Sequence, residues 1–298
     1  MTQDILHRFI FENEPVRGEY VKLGDSYKTI TTQHDYPPVI RQLLGESLCV
    51  AALLGAIIKF DGRLTLQFRG KGKLKLLLAQ SNDKNQLRGL VKYDGNPTNE
   101  ELLEAFQDGI LMIMLDSGVN GQRYQGVVEW KGDSLAETIE SYFRHSEQLA
   151  TRIWLQTNEE YAVGYLLQVI PTAEKDAHGI QHEVIQPSWQ RILKLTDVIA
   201  PGTLLEANYP EFLTHFYPGE TLRVFDGSAV SFNCDCTRKR GEDAIGLLGR
   251  AEAEEEIKDK NTIVVTCEFC NQEYIYDRVD VEEIFKNNEQ PPNDRQLH

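Results

Sequence analysis

The sequence predicts an α+β chain in three parts: a mixed-sheet N-terminal domain packed with helices, a helical linker region, and a small C-terminal domain built on four cysteines. Three observations predict it. A long apolar stripe at helical spacing is followed by short strand-like runs separated by turn residues; a polar stretch from Thr172 to Val184 leads into an amphipathic segment; and four of the five cysteines fall in two tight pairs near the C-terminus. At 298 residues the chain is about twice the length of a common domain, and 41% apolar with 26% charged residues is the composition of a chain that folds.

From Pro37 to Lys59 the residues Ile40, Leu43, Leu44, Leu48, Ala51, Leu54 and Ile58 recur at helical spacing, which predicts one helix packed into a core. Strands are expected at Leu64–Phe68, Leu74–Ala79 and Leu87–Tyr93, separated by Asp-Gly, Gly-Lys-Gly and Asn-Asp punctuation that suits tight antiparallel turns. A helix near Asn99–Phe106 and strands at Ile110–Leu115 and Gln125–Trp130 come next. Ser134 followed by Glu137 matches a capping box, with Leu135, Ile139, Tyr142 and Phe143 as the apolar stripe behind it. Strands at Arg152–Gln156 and Tyr161–Ile170 complete one mixed sheet, and the domain is expected to span residues 1–171.

Residues 172–226 read as an amphipathic helical linker. Its first stretch is polar and suits an exposed connection; beyond it Pro187 sits where a helix starts. Trp189, Ile192, Leu193 and Ile199 share one face until Pro201-Gly202, and Leu204, Leu205, Tyr209, Phe212, Leu213, Phe216 and Tyr217 continue to Pro218-Gly219. Such helices need a partner surface, so Trp189, Ile192, Leu193, Phe212, Leu213 and Phe216 form a candidate hydrophobic surface once that partner is lost. Residues 227–287 make the cysteine module, and 288–298, with Pro291-Pro292, are expected to be a disordered tail.

Acidic residues outnumber basic ones by 46 to 31, a net charge of -15, so nucleic acid is not an expected partner. The run Glu252, Glu254, Glu255, Glu256 and Asp259 reads as a solvated helix face. Leu48–Ile58 is too short to span a bilayer and no export signal stands at the N-terminus, so no membrane is expected and the location is read as cytoplasmic.

Cys234-Asp-Cys236 and Cys267-Glu-Phe-Cys270 enclose 30 residues, Thr237–Thr266. Two close thiol pairs on separate knuckles supply the four sulfurs of a tetrahedral Zn²⁺, with iron in a rubredoxin-like cage the weaker option. The C-terminal part is thus read as a four-cysteine zinc domain with one Zn²⁺ per chain. Metal-bound thiolates are the form that peroxide attacks, and Arg238, Lys239 and Arg240 place positive charge beside the first pair. Either pair can close as a disulfide and remove ligands; a module of roughly 70 residues that loses its staple should then unfold. If the Pro187–Tyr217 segment rests on that module, its cover goes too.

The run Phe232-Asn-Cys-Asp-Cys-Thr-Arg-Lys-Arg240 and the run Cys267-Glu-Phe-Cys-Asn-Gln-Glu-Tyr-Ile-Tyr276 resemble the two cysteine segments of the thirty-three-kilodalton bacterial heat-shock protein family. His34-Asp-Tyr-Pro37, Lys59-Phe-Asp-Gly62, Arg123-Tyr-Gln-Gly126, Ser146-Glu-Gln-Leu149 and Leu166-Leu-Gln-Val-Ile-Pro171 are similar to family segments in the same order, so the resemblance spans nearly the whole chain. It implies a redox-regulated, ATP-independent holdase that is inactive while reduced and zinc-bound. On oxidation it implies disulfides Cys234–Cys236 and Cys267–Cys270, metal release, linker unfolding, a homodimer and binding of unfolding client proteins.

Other features read blandly. Cys49 lies in the apolar helix as an inert buried thiol. His178 and His182 suit a solvated linker, and Arg69, Lys71, Lys73 and Lys75 suit a strand with a basic solvent side. No phosphate loop or G-x-S-x-G is present, so neither ATP use nor catalysis is expected. Two rivals remain: a thiol-disulfide oxidoreductase using Cys267 and Cys270, and a constitutive zinc interaction module.

Overall fold

Two strands absent from the periodicity argument open the chain, β1 (Ile5–Phe11) and β2 (Val16–Leu23). Both faces of their sheet are covered, so they lack the polar alternation that marks a half-exposed strand. The computed structural model describes residues 4–58, 62–116, 123–171, 187–200 and 202–289, and the chain divides into two units, Met1–Asn233 and Cys234–His298. The expected linker stretch Thr172–Val184, with His178 and His182, and most of the expected tail lie outside the described residues.

After α1 (Asp25–Thr31), whose first N–H groups at Gly24, Asp25 and Ser26 are accepted by the buried Asp4 carboxylate at 2.7–3.1 Å, the chain enters α2 (Pro38–Ile57). Proline in the first turn pre-sets the helical φ without removing a used donor. The helix is long and apolar enough to cross a membrane by length and composition, yet twelve of its residues are buried inside the protein. Next come β3 (Arg63–Arg69), β4 (Leu74–Asn82), β5 (Gln86–Tyr93), α3 (Asn99–Gln107), β6 (Ile110–Asp116), β7 (Arg123–Val128) and α4 (Leu135–Tyr142). A one-turn π-helix, Phe143–Glu147, leads to β8 (Thr151–Thr157) and β9 (Ala162–Val169). Then follow α5 (Pro187–Thr196), α6 (Thr203–Glu206), α7 (Tyr209–Phe216), and the short strands β10 (Leu222–Val224), β11 (Ser228–Ala229) and β12 (Ser231–Phe232).

The strands form two sheets rather than the single one expected. The first runs β10-β1-β2-β9-β8, with β11 also on β1; the second runs β12-β5-β4-β3-β6-β7 and is mixed because β12 joins β5 in parallel. Helix α2 lies between them. Glycine permits its close approach on both sides: a Cβ at Gly89 of β5 would sit 2.9 Å from Leu44 Cδ1, and one at Gly164 of β9 would sit 2.8 Å from Leu53 Cδ1. Two local expectations change. Ser134 Oγ accepts the Glu137 N–H, but the Glu137 carboxylate turns to the Asp133 N–H, and the reciprocal capping box is instead at Thr98 and Glu101 of α3. Arg69–Lys75 is no basic strand; it spans the β3–β4 hairpin, where Lys75 pairs with Asp94 at 2.9 Å.

The outer face of the first sheet carries Phe9, Phe11, Val16, Tyr20, Val163, Tyr165 and Leu167, and α5–α7 cover it. Trp189, Ile192, Phe212, Leu213 and Phe216 are buried there and Leu193 is half-buried against them. The amphipathic segment therefore has a partner surface within the N-terminal unit itself. Polar groups fix the docking. Tyr217 Oη lies 2.5 Å from Tyr165 Oη and 2.8 Å from Thr196 Oγ1, and Tyr20 Oη donates to the Leu204 carbonyl at 3.1 Å. A buried network of this kind is satisfied in one register only.

The second unit comprises α8 (Arg238–Leu248), α9 (Arg250–Lys260), the β13 (Ile263–Thr266) and β14 (Glu273–Tyr276) hairpin, and α10 (Arg278–Glu289). Helix α10 runs past Asn288, into the stretch expected as tail. A small core of eight buried side chains includes Tyr276, which is fully buried and donates to the Arg238 carbonyl at 2.6 Å.

Candidate metal centre

One cysteine pair lies on the irregular stretch before a helix and the other in a hairpin turn. Cys234 and Cys236 occupy the loop before α8, whose N-cap Thr237 accepts the Arg240 N–H at 3.3 Å. Cys267 and Cys270 form the tip of the β13–β14 hairpin. There the Asn271 N–H bonds the Cys267 carbonyl at 2.8 Å, the Cys267 N–H bonds the Gln272 carbonyl at 2.9 Å, and Asn271 takes the left-handed conformation that asparagine tolerates. The C-x-x-C motif thus opens a hairpin turn and not a helix.

The four sulfurs lie within 4.8 Å of one another, with Cys234 Sγ to Cys267 Sγ at 3.6 Å and Cys236 Sγ to Cys270 Sγ at 3.5 Å. A tetrahedral zinc with bonds of about 2.3 Å sets sulfur–sulfur edges at about 3.8 Å, so four cysteines at these distances could hold a metal ion and suit zinc by ligand type and size. Burial pushes the Cys234 and Cys270 thiols up. At Cys236 burial acts in the same sense, but hydrogen bonds from Tyr274 Oη, 3.3 Å away, and from the other thiols outweigh it and hold that group below the usual thiol range. The thiolate is thus favoured at Cys236 and disfavoured at Cys234 and Cys270; a dication would bring all four cysteines to the charged form.

The cations expected to modulate the thiols are all paired. Arg238 donates to Asp280 at 2.7 Å and to the Ile275 carbonyl at 2.8 Å while lying over the Tyr276 ring. Lys239 sits 3.2 Å from both Glu242 and Asp243, and Arg240 reaches Asp235 with two bonds at 2.8 and 3.2 Å. Arg240 therefore anchors the residue between Cys234 and Cys236 more than it adds net charge. Sequence reasoning missed this pair, and also Tyr274 and Asn271; the only sequence signal was their proximity to the cysteines. Cys49 lies in α2, fully buried, its thiol pushed well up by burial, and it is not one of the four clustered cysteines.

The Hsp33 protein family model matches residues 4–277. The chain is 39% identical to the 33 kDa chaperonin of Nitrosococcus oceani, covering 95% of each, and 38% identical to that of Shewanella oneidensis, covering 96% of this chain and 97% of the relative. The crystal structure of the Thermotoga maritima 33 kDa chaperonin shares the fold at a TM-score of 0.79, with 22% identity, over 97% of this chain and 99% of that one. With a family model running from β1 to the end of β14 and relatives matched along nearly their whole length, the chain belongs to the Hsp33 family of chaperones.

Proposed function

We propose that this chain is a cytoplasmic, redox-regulated, ATP-independent holdase that is off while its four cysteines are reduced and hold zinc. The observation that carries the reading is the outer face of the first sheet. Fifteen side chains are buried where α5–α7 cover it, and the covering segment continues through strands of two or three residues to Cys234. Zinc, when bound, keeps Cys234, Cys236, Cys267 and Cys270 as thiolates and supplies the stability that eight buried apolar side chains do not.

Oxidation removes that support. Two thiolates, one hydrogen peroxide and two protons give one disulfide and two waters; the sulfurs are oxidised and the peroxide reduced. The family resemblance assigns the bonds to Cys234–Cys236 and Cys267–Cys270. The sulfur distances do not choose a pairing, since every edge of a tetrahedral cluster is short. With both disulfides closed no thiolate ligand remains, the second unit unfolds, and the loss propagates through β12, β11 and β10 to the α5–α7 cover. The exposed face, rich in Phe and Tyr, then holds unfolding client proteins, and oxidised chains pair as homodimers.

Light scattering from a thermally aggregating client tests this, with the chain added either zinc-loaded and reduced or after warming with peroxide, without ATP. Suppression by the oxidised form alone is the expected result. Equal suppression by both forms, with zinc retained under peroxide, would favour a constitutive zinc module; turnover of a dithiol substrate would favour an oxidoreductase.

A further inference from the structure

Away from the cysteines, a cavity of about 350 Å³ lies in the N-terminal unit between the C-terminal end of α2, the two sheets and the π-turn after α4. Its walls are mainly aliphatic, including Leu54, Ile57, Ile113, Leu115 and Leu149, and its polar lining includes Arg17, Gln168 and Glu147. This volume and this balance of apolar wall to few polar groups are those of a small-molecule site.

Two features mark it as more than a packing gap. The first is Arg17. It pairs with Gln168 across the β2–β9 ladder and donates to its Oε1 at 2.5 Å, but its Nε is buried without a hydrogen-bond partner, and among the described residues it makes no ion pair. A guanidinium with an unmet buried donor is costly to keep, and an anion would relieve it. The second is the backbone opposite. The π-turn Phe143–Glu147 and the left-handed Gln148 after it bring Phe143, Glu147 and Leu149 to the cavity. Single π-turns are rare and recur at functional sites. The Glu147 carboxylate already accepts the Tyr142 and Tyr124 hydroxyls, at 2.7 and 3.1 Å, so the cavity-lining residue left with an unmet polar atom is Arg17, whose charge also acts on the buried Glu19 carboxyl two residues along β2.

We propose that this cavity binds a small aliphatic monocarboxylate, its carboxylate on Arg17 and its chain along Leu54, Ile57, Ile113, Leu115 and Leu149. Carboxylate and guanidinium match in a planar two-bond geometry, and each methylene laid on the wall adds apolar burial.

Calorimetric titration of the zinc-loaded, reduced full chain with octanoate, octanol and octylammonium tests the site. Saturable one-site octanoate binding with a Kd below about 1 mM is expected, at least tenfold tighter than octylammonium. Arg17→Met keeps the apolar stem and should weaken octanoate at least tenfold while leaving octanol within threefold. Leu149→Trp fills the cavity and should abolish both. No saturable octanoate binding, octylammonium binding as tightly as octanoate, or octanoate binding unchanged by Leu149→Trp would each overturn the proposal. Should Arg17→Met fail to fold, the ligand comparison and Leu149→Trp decide it alone.

Discussion

Among the described residues the N-terminal unit gathers 38 buried side chains in the core that holds α2 and another 15 where α5–α7 meet the first sheet, whereas the C-terminal unit gathers eight, Tyr276 among them. These are two ways of holding a fold. The larger unit draws on apolar burial, which neither chelators nor peroxide touch; the smaller has too little of it for its 65 residues and adds a cluster of four sulfurs instead. The difference teaches where a chemical signal can enter. In the proposed function an oxidant acts on the unit that carries the four clustered cysteines, and the signal passes to the other along the chain that joins them. Within the larger unit the two clusters also differ, since the cover of the second is made of short helices held to the sheet by side-chain packing and by side-chain-to-backbone hydrogen bonds such as that from Tyr20 to the Leu204 carbonyl.

The largest expected effect comes from removing the metal. Chelation, or Cys270→Ser, should remove on the order of 10 kcal/mol from the C-terminal unit and unfold it, while far-UV circular dichroism and amide protection of α2 and β3–β6 persist. Full protection of β13 and β14 without metal would break the comparison. Next comes the cover. Phe212→Ala deletes a ring that packs on Tyr20, Tyr165 and Phe216, and should destabilise the α5–α7 docking by about 3–5 kcal/mol, giving dye binding and partial client holding with zinc still bound. A variant that stays silent until oxidised would show that α5–α7 do not gate the surface.

A smaller effect sharpens the contrast through pH. Burial raises the Glu19 carboxyl to about 7, against the partial opposition of Arg17 and Arg8, and its Oε2 has no hydrogen-bond partner. A folded-state pKa above the unfolded one means that its contribution to stability is full below about 4.5 and is lost as pH rises through about 7. Glu19→Gln should flatten the stability curve across that window and raise stability at pH 8 by on the order of 3 kcal/mol. Denaturant midpoints at pH 5 and 8 check it, and an unchanged slope would assign the pH dependence elsewhere.

Much of the fold was legible because periodicity reports burial on one face. Helix α2, the β3–β5 meander, α3 and the cysteine spacing all carry local signals. Strands β1 and β2, covered on both faces, carry no alternation, and β11 and β12 are only two residues long, so their pairing is decided by the tertiary fold. The amphipathic stripe of α5–α7 announced that it needed a partner but not which one. At the metal centre the four sulfurs were written in the spacing. The Asp235–Arg240 clasp, the Tyr274 hydroxyl on Cys236 and the turn at Asn271 were not, because each is a contact that the folded loops create.

The central claim is that oxidation of the small unit uncovers the large one. Hydrogen exchange of the full chain, zinc-loaded and reduced against peroxide-treated, tests it most directly. The account predicts lost protection in residues 234–289 and 187–217 together, with α2 and β3–β6 unchanged. Protection kept in α5–α7 after the C-terminal unit has opened would contradict it.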